Sequence, residues 1–257
     1  MENENIEDES TRVWEDILSN LFVLPFGDTA AIVEQEQQIY KLLAAQPGRI
    51  EGMITLMFEQ IMVGSNSKAR SLAYQIWDTG GVLSPFFELV YIENLLSLGL
   101  IDMATILLKP KFESLRENLE DFYCVMLKFA VMTGNIPLLE RLGEYEQDRD
   151  DELLFDFAAV YAAENLTEPF KNLQRLIWEQ TSKYLCAYEY SLYDDKGYPE
   201  LEVEIYVNFD RQYIEKMQTN LEAKIDAYWA SSGHQRLDNF VVRVDNIKNH
   251  PAWLEED

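Results

Sequence analysis

Ile61-Met62-Val63-Gly64-Ser65-Asn66-Ser67-Lys68-Ala69, Leu96-Ser97-Leu98-Gly99-Leu100-Ile101-Asp102-Met103-Ala104 and Val131-Met132-Thr133-Gly134-Asn135-Ile136-Pro137-Leu138-Leu139 are three versions of one phrase. Their glycines stand 35 residues apart. Five residues after each comes Ala69, Ala104 or Leu139, and eight after comes Leu72, Leu107 or Leu142. A period of this length signals stacked helical hairpins. Glycine enters the left-handed backbone region just past a helix end without a Cβ penalty. Three residues later, Ser67 and Asp102 suit a helix N-cap and Pro137 the first helical position. The small residue at plus five lets the paired helices approach. A further unit, spaced by 31, centres on Asn165 with Phe170 and Leu173.

Outward from these phrases, the chain reads as helix after helix from residue 12 to residue 182. Breaks fall at Pro25–Asp28, Pro47-Gly48, Gly64–Ser67, Gly80-Gly81, Gly99, Lys109-Pro110, Gly134-Asn135 and Gln147–Asp151. Residues 1–11 are acidic and predict a frayed tail. From Lys183 the period changes. Tyr184, Cys186, Tyr188, Tyr190 and Leu192 alternate with their neighbours; after the turn Asp194-Asp195-Lys196-Gly197, so do Leu201, Val203, Ile205, Val207 and Phe209. These predict an antiparallel hairpin. Asp210 opens a helix whose stripe is Ile214, Met217, Leu221, Ile225 and Trp229, and Gly233 follows it. Phe240, Val242 and Val244 complete a β-β-α-β unit. The expected fold is mainly α with a C-terminal α+β unit: an α-solenoid-like domain over 12–182 and a small domain over 183–257.

Gly64–Ala69 and Gly99–Ala104 resemble the tetratricopeptide family, in which a turn glycine precedes a small residue by five within a period of about 34. Gly134–Leu139 shares the spacing alone, and the family's early tryptophan and tyrosine and its regular closing proline are missing. The resemblance covers roughly residues 50–180. It implies stacked helix pairs that bind proteins or peptides.

The formal net charge is −25, from 46 acids and 21 bases. Acidity is spread over both parts: 31 acids and 13 bases in residues 1–182, 15 and 8 in residues 183–257. Such a surface repels nucleic-acid backbones and anionic membranes, so neither is expected as a direct partner. The acidic start has no signal-peptide order, and no apolar run of about 18 residues occurs. A cytoplasmic protein is expected. Cys124 and Cys186 lack metal or redox spacing and read as reduced core residues. His234 and His250 read as solvated loop residues, without a second ligand nearby.

Chemical motifs are sparse. Ser65-Asn66-Ser67-Lys68 fits SxxK, but its companion motifs are absent and Ser67 serves better as a cap. Asp148–Glu152 lacks the glycine and spacing of a calcium loop. Asp194-Asp195 at a hairpin tip, and Glu202 and Glu204 on a wet strand face, support a minor reading as acid–base groups. No catalytic residue, cofactor or metal is expected, and the protein is read as non-enzymatic.

Geometry gives the functional expectation. Counting back from each glycine, Met57, Ile92, Leu127 and Ile61, Leu96, Val131 form an apolar stripe. On the opposite side lie Thr55, Glu59 and Met62, Asn94 and Ser97, and Phe129 and Met132, beside Val90 and Val125. This mixed stripe is expected to line a concave groove that grips a protein or peptide, as solenoids do. The competing reading is that the C-terminal region or a second core layer covers it. The protein is therefore read as a scaffold, adaptor or chaperone for a basic or amphipathic partner, such as a secreted effector, a toxin or a nucleic-acid-binding protein. The alternative is an acidic inhibitor that imitates DNA or neutralises a toxin. Strand edges of the C-terminal unit suggest a homodimer.

Overall fold

The computed structural model describes residues 3–27, 29–81, 83–145, 152–195, 198–234 and 239–250. Ten helices pair in sequence: α1 (Asn3–Phe22) with α2 (Thr29–Ala45), α3 (Ile50–Met62) with α4 (Asn66–Thr79), α5 (Pro85–Ser97) with α6 (Ile101–Glu113), α7 (Leu115–Thr133) with α8 (Ile136–Gly143), and α9 (Glu152–Ala163) with α10 (Thr167–Thr181). The first helices α1, α3, α5 and α7 pack side by side in a row. α9 leaves that row and packs on α8, β1 and β2. The fold is mainly α, with an α+β unit at its C-terminal end.

The repeat turns share one geometry. Gly64, Gly99 and Gly134 have φ of +73°, +65° and +62°. The following residue sends its N–H back around the turn: Ser65 to the Gln60 carbonyl, Leu100 to Leu95 and Asn135 to Ala130, at 2.7 to 2.8 Å. Asn165 makes the fourth turn, with φ +58° and the matching bond from Leu166 to Tyr161. Asparagine is one of the few residues that tolerate this region. The plus-five residues Ala69, Ala104, Leu139 and Phe170 are all fully buried.

Three sequence expectations need correction. Residues 3–11, expected to fray, are helical and open α1. The N-caps are Ser65, Leu100 and Asn135, one residue after the glycine; Ser67, Asp102 and Pro137 fall inside the first helical turn. The back-directed bond closes the old helix so tightly that the next begins at once. Finally, α6 runs through Pro110 to Glu113, giving up only the bond a proline nitrogen cannot make.

A 3-10 turn, Ser182–Tyr184, leads into β1 (Leu185–Asp195), β2 (Tyr198–Val207), α11 (Arg211–Ser232) and β3 (Phe240–Asn246). The sheet order is β1-β2-β3, with the first pair antiparallel and the second parallel. Asp210 and Gly233 bound α11 as expected, Gly233 with φ +73°. Both faces of the sheet are engaged. Tyr188 meets Trp178 of α10 at 5.3 Å between ring centres, and Phe240 meets Phe170 of the same helix at 5.5 Å. Glu189, on the other face, meets Lys128 of α7. One hydrophobic cluster runs from Trp14 in α1 to Ile247 after β3. The change at residue 182 is thus a change of secondary structure within a shared core.

The glycines also permit close approach. A Cβ on Gly134 would lie 2.6 Å from the Lys171 Cα, whereas one on Gly233 would meet nothing within 4 Å. Gly134→Ala is expected to lower stability by about 2 to 3 kcal/mol and Gly233→Ala by about 1 kcal/mol, read from urea unfolding midpoints.

Candidate functional site

The seven residues expected to line an open groove are all buried: Thr55, Glu59, Met62, Asn94, Ser97, Phe129 and Met132. They face into the seams between helices. Thr55 turns its hydroxyl onto the Glu51 carbonyl at 2.9 Å. Glu59 feels Glu36 of α2 and Lys68 of α4. Phe129 packs on Phe112 of α6, ring centres 5.5 Å apart, and the Met132 carbonyl accepts from the Trp178 indole of α10. The competing reading, cover by other parts of the chain, describes this stripe.

An open cleft does exist, turned by roughly 60° about the helix axes from the expected one. It has a volume of about 630 Å³. α5 supplies Phe86, Leu89, Val90 and Glu93; α7 supplies Cys124, Val125 and Lys128. The sheet supplies Glu189, Tyr190 and Ser191 from β1 and Glu204 from β2. Phe22 and His250 close its end.

Lys128 is the centre of the cleft's charge. Its side chain is 8% exposed and pairs with Glu93 and, at 3.0 Å, with Glu189. Glu93 and Lys128 are 35 residues apart and occupy one repeat position, six before the glycine. Phe58 fills that position in the first repeat, buried against Phe22 and Phe26. Burial opposes the ammonium, but Glu189 and then Glu93 more than offset it and hold Lys128 above its usual pKa. Glu93 is raised, because its own burial outweighs Lys128. Glu189 is lowered: burial opposes ionisation, and Lys128 with His250 reverses the balance.

His250 corrects the sequence reading. Its ring is buried between Phe26, at 4.1 Å, and Tyr206, at 4.6 Å, and Nε2 lies 3.3 Å from Glu189 Oε1. His234 is exposed, as expected. The cysteines divide: Cys186 is buried, its thiol pushed up to about 12 by desolvation, whereas Cys124 is exposed on the cleft. Glu202 is not on a wet face: it is buried and paired with Arg243. Glu204 is half-buried, and its carboxylate accepts from the Tyr206 hydroxyl at 3.0 Å. Asp148, Lys196 and Gly197 lie outside the described residues, as do the side chains of Asp194 and Asp195.

Among the described residues, no group of three or more His, Cys, Asp or Glu side chains is placed to hold a metal ion, and no helix is long and apolar enough to cross a membrane. Between Glu93 and Glu189 the cation is supplied by the chain itself. Comparison with protein-family models, curated proteins and solved structures finds no match.

The sequence does carry a signal for the cleft: two opposite charges one repeat apart, at a position where the first repeat holds phenylalanine. Lys128→Met strands Glu93 in a buried site, so an unfolding free energy lower by about 3 to 5 kcal/mol is expected from denaturant titration, with part of the loss recovered in Lys128→Met/Glu93→Leu.

Glu59 gives a pH prediction. Desolvation raises its pKa from 4.5 to about 7; Gln60 opposes, Glu36 adds, and Lys68 opposes. Below 4.5 the folded and unfolded chains both hold the proton. Between 4.5 and about 7 only the folded chain keeps it, so stability falls as pH rises, with the loss complete above about 7. The loss is on the order of 3 kcal/mol. Glu59→Gln is expected to be the more stable protein at pH 8 and nearly equal to the parent at pH 4.5, measured by denaturant titration at both values.

Proposed function

We propose that this chain is a non-enzymatic, tetratricopeptide-like adaptor or chaperone of the cytoplasm. On this reading it holds a basic, amphipathic segment of another protein in the cleft between α5, α7 and β1. One observation carries the reading: the cleft joins apolar walls to a surplus of carboxylates. Lys128 is already shared by Glu93 and Glu189, and Glu204 has no cationic partner among the described residues. Phe86 and Leu89, both part-exposed, offer apolar surface to the same visitor. The net charge of −25 attracts a basic partner from a distance, and the apolar walls retain it at contact. The acidic-inhibitor alternative draws on that charge alone, and salt separates the two.

Cys124 provides the handle for a test, since Cys186 is buried. A benzophenone maleimide placed on Cys124 is irradiated in an extract of the native cell, at low salt and at about 1 M salt. The expected result is an adduct with a basic protein that persists in high salt and is lost in Leu89→Asp. A control label at Tyr213→Cys in a Cys124→Ser background is expected to give none. Adducts that vanish with salt, are indifferent to Leu89→Asp, or form equally at the control position would replace the cleft with charge alone.

A further inference from the structure

We propose that the α1–α2 hairpin is a lid on one end of the cleft, and that a proton on Glu59 beneath it sets how firmly the lid is shut. The device is independent of what the cleft receives.

The hairpin stands at the start of the helical row, and its packing runs mainly to α3. Gly52 of α3 marks its seat. A Cβ there would lie 2.7 Å from the Trp14 ring of α1 and 2.6 Å from the Leu43 side chain of α2. In the loop that joins α1 to α2, the Gly27 N–H donates to the Met62 carbonyl at the end of α3, at 2.8 Å. This end of the hairpin also closes the cleft. Phe22 lines it, and Phe26 lies against His250, which lines it too. Both rings pack edge-on with Phe58 of α3, at 5.0 and 6.1 Å between centres. Lifting the hairpin therefore takes Phe22 out of the lining and the Phe26 ring off His250.

Glu59 follows Phe58 and is the weak point under the lid. It is 2% exposed, its carboxylate accepts a hydrogen bond from the Gln60 amide, and no ion pair reaches it among the described residues. Glu36 of α2 repels its charge, Lys68 of α4 attracts it, and Tyr40 of α2 feels it in turn. The other elements packed on α3, which are α1, α5 and β1, bring no charge that acts on it among the described residues. An enclosed, unpaired carboxylate favours any motion that admits water. Because α2 carries Glu36 and Tyr40 to its side, undocking the hairpin hydrates Glu59 and removes the repulsion together. Under the shut lid, desolvation pushes its pKa from 4.5 up to about 7. Below 4.5 the shut and open forms both hold the proton, and between 4.5 and about 7 only the shut form does. The lid thus loosens as pH rises and is loosest above about 7.

Hydrogen exchange of the whole protein, read amide by amide by NMR and corrected for intrinsic rates, tests both parts. The Gly27 amide and the amides of α1 and α2 are expected to exchange about tenfold or more faster than those of α7 and β2, because the hairpin opens without global unfolding. Their opening constant is expected to be up to about 30-fold larger at pH 8 than at pH 5.5. Glu59→Gln is expected to abolish that difference. Glu36→Gln, which leaves Glu59 in place, is expected to move the change to lower pH. Hairpin amides that exchange in step with α7 and β2 mark one cooperative unit and overturn the lid. Fast exchange in α1 and α2 beside a Gly27 amide as protected as α7 marks helices fraying from a docked loop and overturns it too. A hairpin opening that ignores pH, or a pH response that survives in Glu59→Gln, overturns the control by Glu59.

Discussion

Four times this chain reverses between packed helices within a few residues by turning one residue left-handed and sending the next N–H back to the closing helix. Gly64, Gly99, Gly134 and Asn165 do this with nearly the same φ and the same back-directed hydrogen bond. Because the turn is constant and the spacing of the first three is constant, equivalent residues of α3, α5 and α7 fall in line along the row. Phe58, Glu93 and Lys128 are such a line. The row starts with an aromatic ring in the core and ends with an opposite-charge pair at the sheet, so one repeat position changes from packing to electrostatics as the array meets β1.

That pair is expensive to bury and is held by mutual compensation. Desolvation disfavours the ammonium of Lys128 and the carboxylates of Glu93 and Glu189 alike; proximity reverses this for Lys128 and Glu189, whereas burial still prevails at Glu93. The three groups come from α5, α7 and β1, so the same contact that settles the charges also fixes the helical row against the sheet. His250 extends it to the loop after α1 through Phe26. The cleft has its shape because these four elements meet at one balanced point.

Local chemistry was legible in the sequence and long-range packing was not. The turn glycines, the strand at β2, the Asp210 and Gly233 ends of α11 and even the off-period Asn165 turn depend on a few neighbouring residues, and each is found where its residues place it. The groove depended on which way apolar helices rotate. α3 and α5 are apolar almost all round, so their sequences leave the rotation nearly undetermined, and Glu59 and Asn94 read as wet when both are enclosed. The burial of Glu202 and His250 has no local signature either: Arg243 lies on another strand, and Phe26 and Tyr206 approach His250 from distant parts of the chain. Pro110 shows the reverse error, a strong local breaker that the last turn of a helix accommodates.

The side chain of Gln218 has a consequence for self-assembly. Open sheets grow into fibres by offering a template at both borders, so that each arrival recreates a docking front for the next. Here, at the β3 border, a glutamine of the same molecule already donates to the Val242 carbonyl and accepts the Val244 N–H. An arriving strand would have to displace that side chain before it could pair there, which opposes growth from this border.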